Sequence, residues 1–249
     1  APTENNKNNL LKEGIPEEKI FVTGNTAVDA MRYTVSKEYK FEDEDLKKVD
    51  FENKKAILVT AHRRENLGEP LENICKAIKE IVQNNEEVEV VYPVHLNPVV
   101  QDTAKSILGN MDRVHLIKPL DAMIFQNVMD RSYMVMTDSG GVQEEAPSVG
   151  KPVLVLRTET ERPEAIKTGT LKLAGTDKNN IVKLANELLE DKETLAEISF
   201  KHHLLGLDEI FAAVGYGGIT VSQVLGKFIS KQQQRDKKEK KLSLVTETQ

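Results

Sequence analysis

Short apolar runs rich in β-branched residues alternate with longer stretches of helical period from residue 55 onward. Such alternation is typical of repeated strand–helix units that build a parallel sheet. Five of the six runs are almost continuously apolar, which favours strands that are buried on both faces. The pattern therefore predicts an α/β fold with a doubly wound parallel sheet. Its strands are expected at 56–60, 88–92, 113–117, 133–137, 153–156 and 170–174, with helices over stretches such as 70–83 and 179–190.

The segments that flank this array differ from it in composition. Residues 20–23 form a further candidate strand, followed by a helical stretch from Ala27. The next segment is charged and has little apolar periodicity, so a linker is predicted over 36–54. At the other end, 231–249 is polar and predicts a disordered tail. Contact of its basic residues with nucleic acid is the alternative, which the lack of interleaved aromatic residues disfavours.

Composition narrows the class of protein. The chain has 249 residues, 39% of them hydrophobic, and a formal charge of -6, which argues against binding to nucleic acid or to anionic membrane. The single cysteine, Cys75, excludes an intramolecular disulfide framework and favours a reducing compartment, so the cytoplasm is expected. The chain begins without a basic or apolar leader, so secretion is not expected. Its first residue is Ala, which indicates processing, an artificial boundary or a chain whose beginning is missing.

Polar residues follow the predicted strands at the point where each strand ends. His62 follows the first strand, His95 the second, Ser139-Gly140-Gly141 the fourth and Arg162 the fifth. Because ligands bind outside the carboxyl ends of parallel strands, we expect these residues to converge on one crevice. Small-molecule binding is therefore predicted at this edge of the sheet.

The Ser139-Gly140-Gly141 turn predicts an anion site, because glycines allow backbone amides to approach a ligand and the following helix directs its positive end at it. The alternative is that the glycines only relieve steric crowding in a tight turn. Glu144 and Glu145 follow, and a carboxylate there can accept the hydroxyls of a ribose. The alternative is that such a carboxylate merely complements the helix dipole, which is expected of one of the two.

Two cationic groups have both a functional and a structural interpretation. His62 precedes Arg63 and Arg64, which suits a diphosphate leaving group, although a lone histidine at a strand end is more often a structural hydrogen-bonding residue. Arg162 either binds phosphate or pairs with a neighbouring glutamate. The histidines and carboxylates show no metal-site spacing, so no metal is expected.

Several motifs, in order along the chain, resemble the C-terminal portion of the non-hydrolysing UDP-N-acetylglucosamine 2-epimerases. The resemblance covers residues 1 to about 198. It rests on VTGNT at 22–26, HRREN at 62–66, HLNP at 95–98, TDSGGVQEEAP at 137–147, GKPVL at 150–154, TERPE at 160–164 and GTD at 175–177.

The resemblance implies the second Rossmann-like domain of a two-domain GT-B fold, over 55–200. It also implies that 1–35 is the end of the first domain, and the segment 201–230 departs from the family pattern. In the family, the positions that match His62, Ser139, Gly140, Gly141, Glu145 and Arg162 contact UDP, and the position that matches Phe125 lies beside the uracil. His62 is thereby implied as a catalytic residue. Arg63 and His95 match positions that help to hold a second UDP-sugar, an allosteric activator, in some bacterial members.

The implied reaction is anti elimination of UDP to a 2-acetamidoglucal and re-addition on the other face, with no cofactor, as part of cell-surface polysaccharide synthesis. The full-length family is expected to be homodimeric. The carboxylates that move the C2 proton belong to the first domain, so this chain is not expected to epimerise alone. A GT-B glycosyltransferase domain and a non-catalytic remnant are the alternative hypotheses.

Overall fold

The computed structural model describes residues 1–160, 166 and 169–190. Its strands are β1 Lys55–Thr60, β2 Val88–Pro93, β3 Val114–Ile117, β4 Met134–Thr137, β5 Val153–Val155 and β6 Leu171–Leu173. Its helices are α1 Glu4–Lys12, α2 Thr26–Thr34, α3 Glu69–Asn84, α4 Pro98–Leu108, α5 Ala122–Arg131, α6 Val142–Ser148 and α7 Lys178–Glu190, with 3₁₀ turns at Glu17–Lys19, Leu46–Lys48 and Arg64–Asn66. All six strands predicted from residue 55 onward are confirmed.

The six strands form one sheet in the order β3-β2-β1-β4-β5-β6, and every neighbouring pair is parallel. The chain builds outward from β1 to β3, returns through α5, and adds β4 on the other side of β1. The direction of winding therefore reverses between β1 and β4. In open α/β sheets the ligand crevice lies at this reversal, outside the carboxyl ends of the two strands.

Each face of the sheet is covered, which explains why the strands are apolar without alternation. Successive side chains of a strand point to opposite faces. Ile57 and Val59 therefore enter the core beneath α3, α4 and α7, whereas Ala56 and Leu58 enter the core beneath α2, α5 and α6. The predicted doubly wound α/β architecture is confirmed.

Helix α3 shows how the sequence pattern produces this layer. Its buried residues recur at the three- and four-residue spacing of one helix face: Leu71, Ile74, Cys75, Ala77, Ile78, Ile81 and Val82. Pro70 lies in the first turn, where its missing N–H removes no intrahelical bond. None of the helices that the structure describes has the length and apolar character needed to cross a bilayer.

The strand predicted at 20–23 is wrong, because these residues pair with no strand of the described sheet. They contact instead the first residue of the chain: Thr23 N–H donates to the Ala1 carbonyl over 3.0 Å, and the Ala1 amino group donates to the Phe21 carbonyl. Phe21 is 55% exposed, so the run has no apolar layer to cover it. The helix predicted from Ala27 is confirmed as α2, with Asn25 as its N-cap.

The segment predicted as a linker, 36–54, packs against the second core. Leu46 and Val49 are buried there, and the rings of Phe41 and Phe51 lie 5.4 Å apart beside them. Its few apolar residues are therefore used for packing, although its charge hides them in the sequence pattern. The domain boundaries stay predictions, and the segments 201–230 and 231–249 lie outside the described residues.

Candidate functional site

The loops that follow β1 and β4 are joined side by side at the reversal point. His62 and Ser139 each come two residues after the end of their strand. The two strands continue to pair beyond their ends, since Asp138 N–H donates to the Thr60 carbonyl over 3.0 Å. The hydroxyls of Thr60 and Thr137 are hydrogen-bonded at 2.6 Å and buried. The first and fourth strand ends therefore present His62 and the Ser139 turn to the same crevice.

Asp138 holds the two loops in this arrangement, and sequence analysis did not single it out. Its carboxylate is fully buried, and Oδ2 accepts hydrogen bonds from the backbone N–H groups of His62 and Arg63, each over 2.8 Å. The side-chain amide of Asn66 donates to the same oxygen over 3.0 Å and to the Leu156 carbonyl over 3.1 Å. The ends of β1, β4 and β5 are thus connected through one carboxylate. An acidic residue directly after a central strand was the available signal.

The Ser139-Gly140-Gly141 turn carries backbone amides without a partner in the described chain, but fewer than its sequence implies. Ser139 N–H donates to the Thr137 hydroxyl over 2.9 Å, so it is already used. The amides of Gly140 and Gly141 have no hydrogen-bond acceptor within the part of the chain that the structure describes. They are the groups that can receive an anion here.

The helix after this turn contributes less to the attraction of an anion than the sequence suggested. Helix α6 has 7 residues and contains Pro147. The dipole of such a short helix is small because few peptide units align. The free amides, and not the helix as a whole, are therefore the groups of this loop that are suited to an anion.

The two adjacent glutamates of α6 have separate roles. Glu144 is buried and accepts a hydrogen bond from the Asn25 side chain, which joins α6 to the start of α2. Glu145 is half-buried, and one of its carboxylate oxygens lies 3.6 Å from the position that a Cβ on Gly141 would occupy. Burial, with a smaller contribution from the charge of Glu144, raises the pKa of Glu145 above its ordinary value. Glu145 is the carboxylate that faces the turn.

The loop after β2 reaches the same edge. The rings of His62 and His95 are stacked, with centroids 5.2 Å apart and planes 1° from parallel. Tyr92, buried at the end of β2, donates its hydroxyl to the Ala61 carbonyl over 2.7 Å and so fixes the chain just before His62. The structure therefore brings together His62 and His95.

Arg63 extends the cationic character of this edge. Its guanidinium lies 3.9 Å from a carboxylate oxygen of Glu65, which also accepts a hydrogen bond of 2.9 Å from Arg157. Arg157 is itself buried at the end of β5. Two arginines thus share one carboxylate beside the β1 loop.

Phe125 and Arg162 are the remaining predicted site residues. Phe125 lies in the first turn of α5 and packs, partly buried, against the core beneath α2, α5 and α6. Arg162 falls outside the described residues. Within the described ranges, no group of three or more His, Cys, Asp or Glu side chains is arranged to hold a metal ion.

The chain is similar to known proteins of one family. A family model described as UDP-N-acetylglucosamine 2-epimerase matches residues 1–209. The UDP-N-acetylglucosamine 2-epimerase of Bacillus subtilis is 57% identical over 199 residues, which are 80% of this chain and 51% of the relative.

Two solved structures of relatives superpose on this fold. UDP-GlcNAc 2-epimerase from Neisseria meningitidis, bound to UDP-GlcNAc, has a TM-score of 0.76 and 40% identity, over 93% of this chain and 60% of that one. The Staphylococcus aureus MnaA complex with UDP has a TM-score of 0.74 and 50% identity, over 80% and 53%. The chain spans about half the length of the curated relatives it matches. On this evidence it belongs to the UDP-N-acetylglucosamine 2-epimerase family.

Proposed function

We propose that this chain is the UDP-binding half of a UDP-N-acetylglucosamine 2-epimerase, an isomerase, and that its role is to hold UDP while the bond to the sugar breaks and re-forms. The observation that carries the proposal is the joining of the β1 and β4 loops by Asp138, which brings the His62 loop and the turn that carries the free amides of Gly140 and Gly141 to the same edge of the sheet. Relatives solved with UDP and with UDP-GlcNAc support this ligand.

The proposed chemistry is the reversible elimination implied by family membership. A carboxylate of the first domain takes the C2 proton, the C2–H electron pair forms a C1=C2 double bond, and the C1–O bond to UDP breaks. In the reverse sense, a UDP oxygen re-forms the bond to C1 and a proton is delivered to the opposite face of C2. The C1–O electron pair leaves with the diphosphate, which gains negative charge in the transition state. Fixed amides and a histidine in a sheltered crevice stabilise such charge, and loss of one donor of this kind costs roughly 10²- to 10³-fold in rate.

Each site residue has a role in this proposal. The amides of Gly140 and Gly141 and the side chain of Arg162 bind the diphosphate, and His62 acts beside the leaving oxygen. Glu145 accepts the ribose hydroxyls, because its carboxylate faces the turn, whereas Glu144 is occupied by Asn25. Ser139 contributes its hydroxyl, and Phe125 packs beside the uracil.

Calorimetric titration of the chain with UDP tests the binding role. We expect weak binding that Glu145→Ala and Arg162→Ala each reduce by about tenfold, the value of one hydrogen bond to a charged group. Glu86→Ala is the matched control, since Glu86 is exposed at the opposite edge of the sheet, before β2. A folded chain without measurable UDP affinity would reject the proposal.

Co-incubation with the amino-terminal half of the Bacillus subtilis relative tests the reaction. Formation of UDP-N-acetylmannosamine from UDP-N-acetylglucosamine would support an epimerase. Glycosyl transfer to an added acceptor, without a 2-epimer, would favour a glycosyltransferase instead.

Three further features are part of the proposal. The stacked pair of His62 and His95, with Arg63 beside it, supports a second UDP-sugar site with an activating role.

The whole protein is proposed to be a homodimer, which light scattering of the full-length protein would measure. A cytoplasmic location suits a UDP-sugar substrate and a chain with a single buried thiol.

A further inference from the structure

The carboxylate of Asp138 is satisfied on one oxygen only. Oδ2 accepts three hydrogen bonds, from His62 N–H, Arg63 N–H and the Asn66 amide. Oδ1 is buried and has no hydrogen-bond donor among the residues that the structure describes. An unpaired buried side-chain oxygen is costly, so this atom calls for a physical explanation.

The group facing Oδ1 is the ring of His62. Its Nδ1 lies 3.7 Å from Oδ1, which is beyond hydrogen-bonding distance. The His62 side chain is 41% exposed, so a movement of about 0.8 Å that would close the contact meets little resistance. Catalytic hydrogen bonds are often long in a free site and shorten when ligand binds.

Among the described residues, the contacts of the ring are with one face and with the Nδ1 edge, which leaves the Nε2 edge for a ligand. His95 stacks on one face, Asp138 lies at the Nδ1 edge, and Arg63 is the next residue along the chain. Because Nδ1 faces the buried carboxylate, Nε2 lies on the other side of the ring, toward the crevice. The location of the proton on Nδ1 therefore sets the hydrogen-bonding role of Nε2 toward a ligand.

We propose that Asp138 is a positioning residue that keeps a proton on Nδ1 of His62, by a contact that closes when a diphosphate occupies the crevice, and so directs Nε2 at the diphosphate oxygens. This inference rests on the proposed function for the identity of the ligand. With a carboxylate on one side and a diphosphate on the other, His62 binds the ligand as an imidazolium, donating from both ring nitrogens. The diphosphate that leaves the sugar thus accepts a hydrogen bond from His62, whose proton is already in position.

Asp138→Asn separates this role from the structural one. The three donors on Oδ2 require an oxygen at that position, so the side-chain amide places its oxygen there and its NH₂ at the position of Oδ1. The loops stay connected, but a donor now faces Nδ1. His62 must then accept at Nδ1 and carry its proton on Nε2.

Nitrogen NMR of the histidine-labelled chain reads the proton position directly. At a pH where imidazole is neutral, we expect the proton of His62 on Nδ1 in the native chain and on Nε2 in Asp138→Asn. Addition of UDP should protonate both ring nitrogens in the native chain only. His62→Gln identifies the resonance by its loss.

A double-mutant cycle on UDP affinity distinguishes action through His62 from general damage. We expect Asp138→Asn to weaken UDP binding about tenfold in the native background. In the His62→Gln background the same change should cost less than about twofold, because the ring through which it acts is gone. Asp102→Asn, exposed on α4, is the matched control.

Equal losses in both backgrounds, with the ring proton unmoved, would overturn the inference and leave Asp138 as a structural residue. A native chain that does not bind UDP would count against the proposed function. In that case the proton position in the free chain would still decide the role of Asp138.

Discussion

Gly141 has backbone angles that any L-amino acid adopts, with φ at −65° and ψ at −45°. Its lack of a side chain is therefore not needed for the turn itself. A Cβ at this position would lie 3.6 Å from Glu145 Oε1, an ordinary contact. The glycine is best explained by the space it leaves beside the free amides and the Glu145 carboxylate.

Gly141→Ala should therefore separate folding from binding. We expect the free energy of unfolding to stay equal or to rise by about 0.4 to 1 kcal/mol, because alanine restricts the unfolded chain. UDP affinity should fall at least tenfold, since the methyl group occupies ligand space. Urea denaturation and calorimetry measure the two effects.

Gly14→Ala is the control of opposite sign. Its φ is 81°, in the left-handed region, so alanine should destabilise the chain by about 1 kcal/mol and leave UDP affinity unchanged. Normal UDP binding by a folded Gly141→Ala chain would contradict the proposed path of the diphosphate.

The raised pKa of Glu145 predicts the direction in which the stability of the fold changes with pH. Its pKa in the folded chain is raised, chiefly by burial, so the folded state holds the proton to higher pH than the unfolded state. Stability attributable to this carboxyl is thus lost as pH rises from the unfolded pKa through the folded one. Glu145→Gln should melt at a higher temperature than the native chain at pH 7.5 and at the same temperature near pH 4.

Ligand binding should show the opposite trend at the same residue. Ribose hydroxyls are donors to an ionised carboxylate, so UDP affinity of the native chain should weaken as pH falls through the raised pKa of Glu145. Glu145→Gln should lose that dependence. Calorimetry over pH 5 to 8 measures it, and an unchanged pH profile in the variant would assign the dependence to another group.

Asp138 is a residue whose role could not be predicted from the sequence. His62, Ser139, Glu145 and His95 could be found from their positions after strands, because parallel strands end at one edge. The role of Asp138 depends on its burial and on which backbone N–H groups point at it. Neither property follows from spacing along the chain.

Among the elements, the segment 36–54 shows how weak periodicity can conceal packing. Asp50 N–H donates to Glu89 on β2 over 3.2 Å, and Ser36 N–H donates to Asn127 on α5 over 3.0 Å. Leu46 is only 1% exposed. A few buried residues and hydrogen bonds attach the segment to the sheet and to α5.

Leu46→Ala tests whether this segment contributes to the core. We expect a loss of about 2 to 4 kcal/mol in the free energy of unfolding, as for other buried leucines. Leu96→Ala, at a leucine that is 69% exposed, should change it by less than about 0.5 kcal/mol. Denaturant titration compares the two, and equal small losses would show that 36–54 behaves as a linker.

The error at 20–23 has a different cause. β-branched and aromatic residues favour an extended chain, but a strand also needs a partner and an apolar layer. The six strands from residue 55 have both, whereas Phe21 is largely exposed and 20–23 pairs with no strand of the described sheet. Composition alone could not distinguish these situations.

For the molecule as a whole, the winding of the sheet explains the site. Because β4 is added beside β1, two loops that are 76 residues apart, at His62 and Asp138, meet at one carboxylate. The alternation of strands and helices predicted the class of fold. It did not give the strand order, since the same alternation suits other orders, and that order is what brings the loops together.

Cys75 gives the folded protein a practical property. It is the single cysteine of the chain, it lies fully enclosed in α3, and burial raises the pKa of its thiol to about 12. Because thiolates are the reactive form and this thiol is enclosed, we expect the native fold not to react with maleimides. A reporter dye attached through Glu86→Cys would then label one chosen point of this chain, remote from the carboxyl ends of the strands, and let its titration with UDP be followed by fluorescence.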